Sequence, residues 1–431
     1  MNFNKVIQVF KIKDLRKKIL FVLAMFILFR LMSNIPVPGV DAQNLQGFFE
    51  RYQMFGLLNI FTGGMLSKLS IAMLGIGPYI TAIIILQLLT MIFPALEKIY
   101  KEEGASGRQR FNQYGRILTV PLAIMQGYAM LNLLQRTGPG GGEAAIGALS
   151  PIMMISALIT VTAGTMFLVW LGEMITERGI GNGVSLLIFA GIVAGIPQNI
   201  YQFAFNWDPA QLPSYLLFFG AAFLIIIGVV LVTEARRNIP VSYAKRVRGN
   251  KIYGGASTYL PLNVNPAGVI PIIFALSILL FPQMIGSFLS NAGGVVGSVA
   301  KAVANFQNHQ IAWGALYFIL VFAFTYFYTM VTFDPKAISN NLKKMGGFVP
   351  GIRPGQSTAS FLSYILNRVL FIGAVFLSVI AIMPYLIKGA TGVATFSFLV
   401  GGTSLLIVVA VVLDTVKQIN AQLQMREYET L

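Results

Sequence analysis

Residues 56 to 89 read GLLNIFTGGMLSKLSIAMLGIGPYITAIIILQLL. The second half, Leu69 to Leu89, has the length and apolarity of a membrane span. The first half is apolar too, but it holds a Gly-Gly pair and Lys68. As a helix of about ten residues it covers about 15 Å, roughly half a bilayer core. A half-span that runs into a full span without a proper loop needs an explanation beyond simple crossing of the membrane.

Composition sets the frame for that stretch. Hydrophobic residues are 56% of the 431 and charged residues 11%, with a mean hydropathy of +0.74. A soluble domain carries about twice that charged share, so the chain reads as a polytopic membrane protein. The N-terminus, MNFNKVIQVFKIKDLRKK, is basic and amphipathic, and the apolar run after it lacks a small-residue cleavage site. Phe3, Ile7, Phe10 and Leu15 fall near one helical face, which predicts an interfacial helix. The chain has no cysteine and a single histidine, His309, which excludes disulfides, thiolate sites and multi-histidine metal sites. No cofactor is expected, and no P-loop sequence is present.

Apolar windows fall at about 19–38, 69–92, 114–134, 152–172, 182–204, 213–233, 267–289, 311–332, 368–388 and 397–416. Ten spans put both termini on one side. Of the 31 Lys and Arg residues, only Arg51, Lys68, Arg136, Lys301 and Lys388 fall on the opposite side, and Arg30 lies within span 1. That asymmetry places both termini in the cytoplasm. Arg30 either snorkels outward or packs on polar groups, or it serves a function.

The two ends of the chain echo each other. Gly75-Ile-Gly-Pro-Tyr-Ile80 opens span 2, and Gly268-Val-Ile-Pro-Ile-Ile273 opens span 7. Gly183-Val-Ser-Leu-Leu-Ile188 opens span 5, and Gly402-Thr-Ser-Leu-Leu-Ile407 opens span 10. Spans 2 and 5 thus echo spans 7 and 10. A unit of five spans enters its second copy from the opposite face, so the pattern is an inverted repeat. The expected fold is all-α, with ten transmembrane helices in two inverted five-helix halves, 1–205 and 206–431, around a central pore. The acids Glu173, Glu234 and Asp414 sit at span ends, and Asp41, Glu50, Glu143 and Asp208 lie in outer segments. The repeated motifs instead offer Ile76, Ile80, Val184, Ile188, Ile273 and Ile407. A ring of branched aliphatics dewets and blocks ions without gripping a passing chain. Any one of them alone is read as core or lipid-facing; their recurrence in the echoed motifs is what singles them out.

Two cytoplasmic connections, at about 234–266 and 334–366, are long. In the first, Ile239, Val241 and Tyr243 alternate, a basic tip follows, and then come Ile252 and Tyr253. This predicts a hairpin with Lys245, Arg246, Arg248 and Lys251 at its turn. The second is rich in Gly and Pro and carries Lys343, Lys344 and Arg353. Basic protrusions of this kind suit an acidic protein or RNA phosphates, and positive-inside bias accounts for them equally well.

Several long stretches carry a family resemblance: IPVPGVDA (35–42), FTGGMLSKLSIAMLGIGPYITAIIILQLL (61–89), GTMFLVWLGEMITERGIGNGVSLLIFAGIVAG (164–195), YAKR (243–246), STYLPLNVNPAGVIPIIFA (257–275), NLKKMGGFVPGIRPG (341–355) and GGTSLLIVV (401–409). On these the chain resembles the SecY family, the channel subunits of the bacterial protein translocon. The resemblance implies a channel that carries unfolded secretory polypeptides across the cytoplasmic membrane and releases membrane segments sideways into lipid. It implies no enzyme, with energy supplied by the motor ATPase SecA or by the ribosome. SecE and SecG are the implied membrane subunits, and signal sequences and unfolded chains the implied substrates. A short half-helical plug before span 2 is implied, about 57–67: Leu57, Leu58, Asn59, Ile60, Phe61, Thr62, Gly63, Gly64, Met65, Leu66 and Ser67. The implied pore ring falls on the six aliphatics that the repeats had offered, with Val184 a mild departure from isoleucine. A lateral gate between spans 2–3 and 7–8 is implied, with Gln87, Thr90 and Asn265 as its polar residues; Gln87 also fits a plain helix–helix hydrogen bond. The basic loops are the implied docking surface for SecA and the ribosome, with Arg353 and Lys251 at family-matching positions.

Residue chemistry alone also admits a secondary transporter with inverted repeats, although the spans hold no buried acid for it. An intramembrane enzyme needs a paired His, Asp or Ser–His arrangement that these spans lack.

Overall fold

In the computed structural model, the described residues are 12–38, 59, 62–101, 103–135, 146–147, 149–205, 209, 212–243, 245–248, 251–254, 257–289, 294–306, 309–391 and 402–429. Helices occupy each predicted apolar window. They are α1 (Lys13–Met32), α2 (Gly77–Ile92), α3 (Pro94–Lys101), α4 (Gly104–Gln135), α5 (Pro151–Arg178), α6 (Gly183–Phe205) and α7 (Leu212–Glu234). After the strands β1 (Arg236–Tyr243), β2 (Lys245–Arg248), β3 (Lys251–Gly254) and β4 (Ser257–Asn263) come α8 (Ile270–Leu289), α9 (Gly294–Asn305) and α10 (Gln310–Thr332). The chain continues through α11 (Pro335–Lys344), β5 (Gly347–Phe348), α12 (Gln356–Thr391) and α13 (Gly402–Glu429).

Length and apolarity qualify fewer than ten of these as full crossings. Among the described residues, six helical stretches are long and apolar enough, in α4, α5, α7, α10, α12 and α13. A seventh counts if α2 and α3, bent by 117° about Phe93, form one broken span. Shorter apolar stretches cover Gly183–Pro197, Ile270–Leu279 and Gly294–Val303. The window at 69–92 shrinks because its first third is not helical: α2 starts only at Gly77.

Local chemistry sets the ends. Ser150 caps α5, its Oγ accepting from the Met153 amide at 3.3 Å, and Pro151 starts the first turn. Asp334 caps α11 by accepting from the amides of Lys336 and Ala337 at 2.8 and 3.2 Å. Lys343 and Lys344 end the same helix, where positive charge suits its dipole.

The described chain divides into two compact units. The first comprises Met1–Pro213, Ser277–His309 and Val393–Leu431. Its main cluster joins Leu66, Leu69 and Met73 to Met130, Leu131 and Leu134 of α4 and to Ala157 and Val161 of α5. Within lipid such a core is held by van der Waals packing, because hydrocarbon outside is as apolar as the core. The short helix α3 folds back on α4, and the rings of Tyr100 and Phe111 lie 4.8 Å apart. A smaller cluster joins Leu15, Ile180 and Leu423. Leu15 therefore belongs to the first turn of α1 and is buried, not to a separate interfacial helix; Phe3, Ile7 and Phe10 lie outside the described residues.

The second unit comprises Ser214–Leu276 and Gln310–Gly392. The predicted hairpin is a two-stage ribbon. β1 pairs antiparallel with β4 from Arg236↔Asn263 to Ser242↔Ser257, and β2 pairs with β3 from Lys245↔Gly254 to Arg248↔Lys251. Strand alternation puts Ile239 and Val241 inside, as the sequence pattern demands. A third strand, β5, joins β1 from about a hundred residues away. Ile239, Leu262, Val349 and Leu362 form the core under this sheet, packed by Phe333, Ile338 and Phe361. Helices α10 and α12 pack side by side, with Phe322 edge-on to Phe371 at 6.0 Å.

Candidate functional site

Of the predicted plug, Leu57, Leu58, Ile60 and Phe61 lie outside the described residues. Asn59, which is helical, and Thr62 through Ser67, which are not, are described. Residues 62–76 run as consecutive turns around a bridge at Ser70. The cause is backbone hand: Gly63 and Gly64 have φ of 71° and 80°, and Leu69 has φ of 44°. Left-handed residues cannot continue a right-handed helix. For Leu69 the conformation costs about 1–2 kcal/mol. It is held by burial and by an antiparallel bridge to the segment that follows α1. Val37 N donates to Leu69 O at 2.8 Å, and Ile71 N donates to Ile35 O at 2.9 Å.

Asn59 organises the described part of the predicted plug. Its backbone oxygen accepts from Gly64 N at 2.7 Å and from Thr62 Oγ1 at 3.2 Å. Its side-chain Oδ1 accepts from Ser67 N at 2.8 Å, closing a loop of eight residues. Asn59, Thr62, Met65 and Leu66 are all buried. Lys68 stands at the water-facing edge, where its Nζ donates to Asn34 Oδ1 at 2.6 Å. Partial desolvation, then the charge of Arg30, lowers the Lys68 pKa below the ordinary lysine value.

Five of the six ring candidates lie in the first unit. Ile76 caps α2 and is buried, and Ile80 follows one turn later, its amide bonded to Ile76 O at 3.1 Å. Val184 and Ile188 are likewise one turn apart on α6. Ile407 is buried on α13, and α6 and α13 pack against each other, so these three sit on neighbouring helices. Ile273 belongs to the second unit. Its neighbour Phe274 packs edge-on to Phe324 and Tyr328 of α10 at 6.1 and 5.9 Å, leaving Ile273 half-buried.

Among the gate candidates, Gln87 and Thr90 are buried on α2, and Thr90 Oγ1 donates to Gln87 O at 2.7 Å. Asn265, in the second unit, donates through Nδ2 to Gly268 O at 3.1 Å. Gln87 Oε1 and Asn265 Oδ1 are both buried without a hydrogen-bond partner among the described residues. A buried amide oxygen left unpaired costs about 1–3 kcal/mol.

The docking candidates all lie in the second unit. Lys343, Lys344 and Arg353 are exposed. Their mount is firm: Thr358 Oγ1 donates to Arg353 O at 2.9 Å and Ser339 Oγ donates to Gly355 O at 2.6 Å. Lys245, Arg246 and Arg248 lie on β2 and Lys251 opens β3, at the far end of the ribbon.

Two features escape a reading of sequence alone. Arg116 of α4 and Glu173 of α5 form an ion pair at 3.2 Å. One residue earlier, Gly115 lets α2 approach α4 closely: a Cβ there would meet Ile83 Cδ1 at 2.5 Å. A basic residue and an acid at opposite span ends were the available signal for the pair. Nothing short-range announces the Gly115 contact. No group of His, Asp and Glu that could hold a metal ion occurs among the described residues.

Long apolar helices with outward apolar faces define a multi-pass membrane protein, and the exposed Lys343, Lys344 and Arg353 lie in its second unit. A family model described as SecY matches residues 70–416. The protein translocase subunit SecY of Streptomyces coelicolor is 44% identical, covering 97% of each chain. A solved structure described by the plug domain of SecY, which stabilises the closed channel and maintains a membrane seal, superposes with a TM-score of 0.61 at 19% identity. It covers 93% of this chain and 91% of that one. Sec61 in a canine ribosome–channel complex superposes with a TM-score of 0.60 at 20% identity over the same shares. The chain belongs to the SecY family of protein translocase subunits, which are channel subunits and not enzymes.

Proposed function

We propose that this chain is the pore of a translocase with ten crossings in two inverted halves, 1–205 and 206–431, and both termini in the cytoplasm of a bacterial cell. Unfolded chains thread a ring of Ile76, Ile80, Val184, Ile188, Ile273 and Ile407. Residues 57–67 plug the outer funnel at rest. A signal sequence leaves sideways past Gln87, Thr90 and Asn265, since transfer of some 20 apolar residues to hydrocarbon is favourable. SecE and SecG complete the membrane complex. SecA or the ribosome docks on Lys245, Arg246, Arg248, Lys251, Lys343, Lys344 and Arg353 and supplies the energy. The halves hinge near 199–213.

One observation carries this reading: a buried segment that is not a span runs directly into the helix bearing Ile76 and Ile80. A pump needs no such segment, whereas a channel that must seal at rest does. The test is site-specific crosslinking from Ile80 or Ile407 to a stalled secretory chain. Adducts are expected at both. Adducts confined to lipid-facing controls such as Ile152 would sink the pore assignment.

A further inference from the structure

Gly63 lies nearer the backbone of α6 than any residue with a side chain could. A Cβ built there falls 2.6 Å from Gly191 Cα and 3.3 Å from the Gly191 carbonyl carbon and oxygen. Ordinary carbon contacts sit at about 3.5–4.0 Å, and here no flexible side-chain end can yield. The φ of 71° at Gly63 disfavours a side chain independently.

Gly191 is buried, and its Cα is the atom nearest to the Gly63 position. Residue 191 therefore lies on the face of α6 presented to the plug, and Cβ bonds radiate outward from a helix. Val184, Ile188 and Gly191 are spaced i, i+4 and i+7, so they share one helical stripe. Two ring positions and the contact point of the plug thus lie on one face. The echoed motif on α13 carries Ile407 where α6 has Ile188, and three residues on it has Ala410 where α6 has Gly191. The bare contact point occurs in only one of the two copies.

We infer that Gly191 is the seat of the plug, a positioning residue that sets how deeply the plug descends toward the aliphatic ring and so how strictly the resting channel excludes ions and unsignalled chains. The inference rests on the plug-and-ring reading above. A methyl group at 191 displaces the plug and not the helix, because alanine is the better helix former.

The test uses the full complex in liposomes, comparing the native chain, Gly191→Ala, a deletion of Leu57–Ser67, and the deletion combined with Gly191→Ala. Resting ion conductance and translocation of a substrate with a defective signal are read for each. Gly191→Ala should raise both several-fold, and should add nothing once the plug is deleted. Gly191→Ser should act in the same direction and guards against a folding defect in one variant. If the deletion raises both readings and neither substitution does, the seat is refuted and the plug reading stands. An equal rise from Gly191→Ala with and without the plug refutes the seat too, since the residue would then act through the helix. If the deletion itself changes neither reading, the plug reading fails and takes the seat with it.

Discussion

Replacing Asn59 by Ala should loosen the plug without touching the ring. The substitution removes the Oδ1 that accepts from Ser67 N at 2.8 Å. It leaves a partly buried amide unpaired, at a cost of about 1–3 kcal/mol. Referred to the seated plug, that is roughly a 5- to 100-fold rise in the unseated population, at tenfold per 1.4 kcal/mol. Thr62→Ala is the matched control. It removes a donor to Asn59 O at 3.2 Å, but that oxygen keeps Gly64 N at 2.7 Å. Its cost is about 0.5–1 kcal/mol, or roughly two- to fivefold. Both are read as resting conductance of the reconstituted complex in planar bilayers, with no substrate present. Asn59→Ala should leak clearly more than Thr62→Ala. Equal leaks, or no leak from Asn59→Ala, would refute the argument that this side chain closes the loop.

Three further outcomes are expected. Leu362→Ala, at a fully buried position under the sheet, should cost about 2–5 kcal/mol locally, making residues 236–263 protease-sensitive while membrane insertion persists; unchanged proteolysis counts against the shared core. Charge reversal at Lys343, Lys344 and Arg353 should weaken partner binding and flatten its salt dependence, and binding that keeps its full salt slope would remove these residues from the docking surface. A double-mutant cycle on Arg116→Met and Glu173→Gln should give a coupling below about 1 kcal/mol, because the side chains are 41% and 23% exposed at 3.2 Å; a much larger value would mean the pair is dry in the assembled channel.

The helices were legible because long apolar runs need no distant partner to be recognised. Residues 62–76 are turns and not helix for a local reason: the Gly-Gly pair takes left-handed φ, and Leu69 follows with the same hand. The ribbon from β1 to β4 showed in the alternation of Ile239 and Val241, but β5 pairs across about a hundred residues, beyond any pattern of period two. Helix α11 was hidden by its surroundings. Its Asp334-Pro335 start is a capping signal, yet the Gly and Pro around it read as loop. Helix α12 begins at Gln356, twelve residues before the apolar window, because its first turns bury Leu362 beneath the sheet and not in lipid. The ring candidates came from repetition, whereas the Gly63 contact with Gly191 came only from three-dimensional proximity.

The bend between α2 and α3 has a mechanical consequence. Helix α2 is clamped to α4 near its start by the Gly115 contact, and beyond the bend by Tyr100 against Phe111. The two attachments fall one turn apart on α4, and the packed seam between α2 and α4 leaves little play, since packed interfaces resist sliding. Ile76 and Ile80 therefore cannot swing on α2 alone. Any force that moves Ile76 and Ile80 must carry α2 and α4 as one girder, and compliance lies outside that girder.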